Sequence, residues 1–184
     1  SRVTQMIEKF SQLCRMGMCA GGNTITLKEG IEHAKTYLEV LNFRHTEKIG
    51  LEIKCEAQEN RLYMPQFILQ PIMENSVIHG FEDGSHGFSI RIRAFCREEK
   101  LLLYVQDNGK GMDEQELELL RESMERTETE EGSIGLANVH QRIRLFYGEE
   151  YGLRINSRAE FGTEVEISLP VRYQSENMEG NREE

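Results

Sequence analysis

The sequence predicts an α+β fold, a two-layer sandwich of sheet and helices preceded by two further helices. Two observations carry the prediction. Apolar residues step by three and four through the first 44 positions. From Leu51 onward the period shortens to two, in stretches that interleave with further helical segments.

Val3, Met6, Ile7, Phe10, Leu13 and Cys14 draw one apolar stripe, so residues 3–16 are expected to be helical, and the glycines between Gly17 and Gly22 end the helix. Thr26-Leu-Lys-Glu29 is a capping box, in which each side chain can satisfy the other residue's backbone N–H and start a second helix over 27–44. Its stripe is Leu27, Ile31, Ala34, Leu38 and Leu41, the spacing of a helix packed along its length. Two such helices suit an antiparallel pair in a dimer bundle, and equally a cover over the domain C-terminal to them. Leu51, Ile53 and Cys55 alternate with Glu52, Lys54 and Glu56, as in a half-buried strand. Residues 65–80 read as helix, with Ile68, Leu69, Ile72, Met73, Ser76 and Val77 inward. Pro71 makes that helix kink or begin there, because an interior proline costs about 3 kcal/mol.

Residues 88–97 and 101–107 then read as a hairpin of strands. A polar helix over 113–126 comes next, with a thin stripe of Leu117, Leu120 and Met124. Residues 127–131 are acidic and lack an apolar anchor, which suits a mobile loop, and 135–147 is helical again. Strands over 153–157 and 163–169 close the fold around a turn at Phe161-Gly162. The expected organisation is a helical segment over 1–48, a folded domain over 49–172 and a disordered polar tail over 173–184.

At 184 residues the chain can bury a core without disulfide staples. A net charge of −10 argues against nucleic acid, whose phosphates need a basic patch, but leaves room for a small anion held by local N–H groups or Mg²⁺. No run approaches the roughly 18 apolar residues of a membrane helix, and no secretory signal opens the chain. Cys14, Cys19, Cys55 and Cys96 form no C-x-x-C pair and are read as reduced thiols of a cytosolic protein. Ser1 falls inside a running amphipathic pattern, so the chain reads as a piece of a longer one.

Three segments carry candidate chemistry. In Glu74-Asn75-Ser76-Val77-Ile78-His79-Gly80, Asn75 and His79 share a helix face. The Asn75 oxygen is a hard neutral ligand suited to Mg²⁺, and His79 could meet a phosphate, although the pair also suits a solvated flank. In Asp107-Asn108-Gly109-Lys110-Gly111-Met112, a carboxylate at the rim of an apolar slot could accept a hydrogen bond from the amino group of adenine, while Gly109 and Gly111 admit a flat base. The same residues would also make a tight hairpin loop. In Gly132-Ser133-Ile134-Gly135-Leu136-Ala137-Asn138, glycines open a helix whose free N–H groups would point at an anion, or simply form a hinge.

Taken in this order, these segments resemble the ATP-binding catalytic domain of sensor histidine kinases. Its Bergerat fold, a mixed sheet covered by helices, is shared with gyrase B and the MutL mismatch-repair ATPase. Asn75 falls on that family's N box and Asp107-x-Gly109-x-Gly111 on its first glycine box. Ser133-Ile134-Gly135-Leu136 falls on the second glycine box, and Phe161-Gly162-Thr163 on the last short motif. Leu69-Gln-Pro-Ile-Met-Glu-Asn-Ser-Val-Ile-His-Gly80 and Gly135-Leu-Ala-Asn-Val-His-Gln-Arg142 are similar to the LytS/YesM type, usually membrane sensors.

The resemblance implies ATP and Mg²⁺ as cofactors, with Asn75 holding the metal and Asp107 reading adenine beside Gly109 and Gly111. It implies a lid over 127–135 that includes Gly132, Ser133 and Gly135, with Leu136 and Asn138 near the phosphates and Thr163 closing the adenine side. Ser133 departs from the family, standing where many members carry the first glycine of a Gly-x-Gly pair. Gyrase-like ATPases place a water-activating glutamate four residues before the metal-binding Asn. Here that place holds Pro71, which cannot act as a base. Glu74 lies about 100° round the helix from Asn75, so Glu74 and His79 remain as possible catalytic groups without an assigned role. Transfer of the γ-phosphoryl group therefore suits the site better than hydrolysis.

The implied partners are a response regulator and the chain's own phosphoacceptor helices in a homodimer, with no nucleic acid. The implied setting is the cytoplasmic part of a membrane-anchored sensor. None of His33, His45, His79, His86 and His140 stands in the family's Asn-Pro-His-Phe acceptor setting, and His33 and His140 read as solvated or structural. The competing readings are a serine kinase of the anti-sigma-factor type and a degenerate nucleotide-binding or dimerisation module.

Overall fold

The Thr26–Glu29 capping box forms as its residues dictate: the Glu29 N–H donates to Thr26 Oγ1 at 3.2 Å and the Thr26 N–H to Glu29 Oε2 at 2.8 Å. It opens helix α1 (Leu27–Asn42), which ends two residues before the expected position 44. The computed structural model describes residues 24–45, 47–58, 61–81, 87–125 and 134–173, together with Thr4, Ile7–Lys9 and Ser11. Those five early residues are helical, and Lys9 pairs with Glu39 of α1 at 2.7 Å. Most of the first expected helix, Cys14, Cys19, His86, most of the expected lid and the tail after Tyr173 lie outside the described residues.

The remaining elements are β1 (Thr24–Thr26), β2 (Gly50–Cys55), β3 (Tyr63–Pro65), α2 (Leu69–Asn75), a π-helical turn (Ser76–Gly80), β4 (Ser89–Arg97), β5 (Lys100–Asp107), α3 (Glu114–Glu125), α4 (Ile134–Tyr147), β6 (Gly152–Arg158) and β7 (Gly162–Pro170). The main sheet is mixed, in the order β2-β4-β5-β7-β6, with β2 parallel to β4 and the other pairs antiparallel. The helices bury their apolar stripes against it. Ile72 and Met73 of α2, Leu117 and Met124 of α3 and Ile143 of α4 meet Ile92, Leu103, Ile155 and Ile167 of the strands in one core. Ile31, Ala34, Leu38 and Leu41 of α1 belong to the same core, so this helix covers the folded domain.

The single helix expected over 65–80 is replaced by three pieces. Pro65 ends the short strand β3, paired antiparallel with β1 in a small sheet that no sequence periodicity announces. Phe67 takes a positive φ of 59°, a conformation that no α-helix passes through, so the helix starts after it. Pro71 is therefore the third residue of α2. Its missing N–H falls among the first-turn groups that have no intrahelical partner, and the helix neither kinks nor begins there. The six residues expected inward, from Ile68 to Val77, are all buried.

Two histidines take structural places. His33 of α1 stacks on Phe67 with ring centroids 5.9 Å apart. His140 is buried, and its Nδ1 accepts the Leu153 N–H at 3.0 Å. Cys55 and Cys96 form no disulfide, and the Cys55 thiol donates to the Ala57 carbonyl at 3.6 Å. Among the described residues no helix is long and apolar enough to cross a membrane.

Candidate functional site

Strand β5 explains the centre of the site. Leu101, Leu103 and Val105 point into the core, and the period of two carries the next inward position to Asp107, a carboxylate left only 3% exposed. Two backbone N–H groups hold it there. Oδ1 accepts the Gly109 N–H at 3.0 Å and the Thr163 N–H at 3.1 Å. Burial pushes the Asp107 carboxyl above its ordinary range, and the polar groups beside it, Ser76 and these two N–H groups, only partly reverse that.

Glycines let three backbone segments close around this carboxylate. A Cβ on Gly109 would stand 2.5 Å from the Gly80 carbonyl oxygen, so the loop after β5 rests directly on the end of the π turn. Gly162, with φ of +87°, sits against the backbone of Asp107, and Gly111 against that of Arg158. Ser157 ties the loops together. It donates to the Gly162 carbonyl at 2.9 Å, accepts the Met112 N–H at 2.9 Å and shares a hydrogen bond with Thr163 Oγ1. Asn108 braces the other side, accepting the Ser89 N–H at 2.7 Å and donating to the Gly87 carbonyl.

The result is a cavity of about 570 Å³. One wall is α2 and its π turn, with Pro71, Glu74, Asn75, Ser76, Ile78, His79 and Gly80. Asp107, Lys110, Gly111, Met112 and Thr163 form the floor and rim, and Glu116 and Leu120 of α3 and Gly135 and Leu136 at the start of α4 complete it. A π turn in a helix that borders a cavity is a frequent mark of a functional site. Helix α4 presents its N-terminal end there, where free N–H groups favour an anion.

The structure brings Glu74, Asn75, His79, Asp107, Gly111, Gly135, Leu136 and Thr163 to one cavity. Gly109 lies behind the wall as a packing contact. Asn138 is exposed on α4 and does not line the cavity, and Gly132 and Ser133 lie outside the described residues. Sequence reasoning missed Ser76, Lys110, Met112, Glu116, Leu120 and Ser157 as site residues. Ser76 was legible only as an inward position of the helix expected over 65–80.

Glu74 reaches beyond the cavity. Tyr37 of α1 has its hydroxyl pushed up to about 12, first by burial and then by the Glu74 charge, with Arg44 opposing. Among the described residues no three His, Cys, Asp or Glu side chains cluster as a metal cage. A lone neutral Asn75 oxygen suits Mg²⁺ that arrives with phosphate ligands and keeps its waters.

A family model described as histidine kinase-, DNA gyrase B-, and HSP90-like ATPase matches residues 60–173, and one described as histidine kinase matches residues 1–49. The sensor histidine kinase YesM of Bacillus subtilis is 30% identical over 93% of this chain and 28% of its own length. The sensor protein kinase HptS of Staphylococcus aureus is 26% identical over 90% of this chain and 32% of its own. The chain therefore spans about a third of the length of these relatives.

Among solved structures, the histidine kinase domain of the Erythrobacter litoralis EL346 blue-light activated kinase superposes with a TM-score of 0.59 at 17% identity, covering 93% of this chain and 75% of that one. The mycobacterial sensor histidine kinase MprB gives 0.58 at 20% identity, covering 82% and 98%. These two likenesses establish the fold.

Proposed function

The chain belongs to the histidine kinase-, DNA gyrase B-, and HSP90-like ATPase family, and from that premise we propose that it is the ATP-binding catalytic part of a two-component sensor histidine kinase. The observation that carries this reading is the buried Asp107 carboxylate in the same cavity as Asn75 and the start of α4. Asp107 accepts the amino group of adenine, and Gly111 and Thr163 form the wall beside the base. Gly132 and Ser133 belong to the lid, and Asn138 of α4 lies toward the phosphates. Asn75 would hold Mg²⁺, which would offset the phosphate charge when ATP is bound. Gly135 and Leu136 lead the N–H groups at the α4 N-terminus toward the negative charge that develops on the transferred group.

The reaction is phosphoryl transfer and not hydrolysis. The Pro71 ring occupies the cavity wall where a water-activating carboxylate would be needed, and it holds no proton acceptor. The nucleophile is a histidine outside this chain. His140 is buried with Nδ1 committed to Leu153, and His33 is packed on Phe67. We place the division of labour at 1–48, the remnant of a dimerisation and phosphoacceptor region, and 49–172, the catalytic domain. The whole protein is then a dimeric, membrane-anchored sensor, with this part in the cytoplasm, that passes phosphate to a response-regulator aspartate.

The test is to restore an upstream acceptor segment from a relative and incubate the fusion with γ-labelled ATP. Acid-labile, base-stable label on the added histidine, lost in Asn75→Ala, is expected. Acid-stable label on serine would replace this reading with a serine kinase.

A further inference from the structure

Between Asp107 and Met112, the loop after β5 brings one side chain to the cavity, that of Lys110. Asn108 is engaged elsewhere, with Ser89 and Gly87, and Gly109 and Gly111 have no side chain to offer. The Lys110 backbone is held from two sides. Its N–H donates to the Gly80 carbonyl at 3.3 Å, and its carbonyl accepts the Glu160 N–H at 2.6 Å. Carboxyl groups of Glu74, Asp107 and Glu116 line the same cavity, and among the described residues its basic side chains are those of Lys110 and His79. Residues 126–133, between α3 and α4, carry Glu128, Glu130 and Glu131 against Arg126, and so add no net positive charge. Ile78, three residues past Asn75, also lines the cavity and is 64% exposed, but it has no donor for a phosphate oxygen. A lining this acidic repels a phosphate chain, and Lys110 is the lysine placed to counter it.

We infer that Lys110 is a specificity-determining residue that binds the phosphate next to the ribose. The inference rests on the ATP reading of the cavity given above. Lys110 lies three residues past Asp107, which takes the base in that reading, and its backbone rests on Gly80 at the end of the π turn. Asn75 stands five residues back along the same helical stretch, about 7 Å of helical rise away. The lysine therefore belongs to the base end of the cavity and Asn75 to the metal end. An ammonium on a four-carbon stem is a mobile point charge with three donors, which suits one phosphate between those ends. Its charge makes the site prefer a nucleotide, even one with a single phosphate, over the bare nucleoside.

The experiment is calorimetric titration of the wild-type chain, Lys110→Met and Lys110→Arg with ATP in the presence of Mg²⁺, and with AMP and adenosine by displacement. Methionine keeps an unbranched stem and removes the charge, arginine keeps the charge, and a thermal melt checks that each variant folds. Lys110→Met should bind both ATP and AMP about tenfold more weakly than the wild type, the scale of one hydrogen bond to a charged group. Its response to adenosine should match the wild type, and Lys110→Arg should retain most of the affinity for both nucleotides. A folded Lys110→Met chain with wild-type affinity for ATP and AMP would overturn the inference and leave the ATP reading standing. So would a loss confined to ATP, an equal loss for adenosine, or an arginine variant as weak as the methionine one. A folded wild-type chain that binds no ATP would overturn both.

Discussion

Replacing Asp107 with asparagine separates its packing from the recognition proposed for it. The amide keeps the carboxylate's shape and one carbonyl oxygen, so the hydrogen bonds from the Gly109 and Thr163 N–H groups can survive. The other oxygen becomes an NH₂ donor, and adenine's amino group then meets a donor. A hydrogen bond to a charged group is worth about 1.5–3 kcal/mol, so ATP affinity should fall by about 10- to 150-fold. Folding should barely change, because the amide removes a buried charge while weakening the bonds that supported it. A net change within about 1 kcal/mol moves the Tm by no more than about 4 °C at this chain length.

The pH dependence has a definite sign. Burial holds the Asp107 carboxyl above its ordinary value in the folded chain, so the folded state takes up this proton before the unfolded one. Wild type should gain stability relative to Asp107→Asn as pH falls from the raised folded value to the ordinary Asp value, and no further below it. Calorimetric titration with ATP and thermal melts across pH provide the measurements. Unchanged ATP affinity, or a loss matched by a large fall in Tm, would refute the reasoning.

Asn75→Asp should mainly change the Mg²⁺ dependence of ATP binding, because the new charge repels free phosphates and is offset when the metal is present. The ratio of affinities with and without Mg²⁺ should shift about tenfold, the scale of one charged interaction, and an unchanged ratio would remove Asn75 as the ligand. Gly109→Ala should destabilise the chain by about 1–3 kcal/mol, since its Cβ would press on the Gly80 carbonyl, and an unchanged Tm would contradict that packing. His140 is held below its ordinary 6.5 by burial, with the Glu125 charge opposing. The unfolded chain therefore protonates first, and stability should fall as pH drops through 6.5, levelling off below the folded value. His140→Gln should flatten that slope in pH-resolved denaturant melts, and an unaltered slope would assign it to other groups.

Local patterns carried much of this fold into view. The capping box at Thr26 and Glu29 is a contact three residues apart, and it forms as its spacing dictates. The alternation of β5 needs only neighbouring residues, and it carries Asp107 to the inward face. What local patterns could not show depends on partners distant in sequence. The strands β1 and β3 are three residues each and exist because they pair with one another, so neither has a period of its own. The break before α2 comes from the positive φ of Phe67, a conformation no phenylalanine advertises. Ser76 looked like a core position because the cavity it lines is completed by other elements, Asp107 of β5 among them. Gly109 was legible as a glycine of the motif, but its reason, the Gly80 backbone against it, needed the folded chain.

The most direct test of the account is a calorimetric titration of the chain with ATP, with and without Mg²⁺, with GTP as control. The account predicts saturable one-site binding that is strengthened by Mg²⁺ and weaker for GTP. A chain that melts cooperatively yet binds neither nucleotide would contradict the assignment of this cavity to ATP.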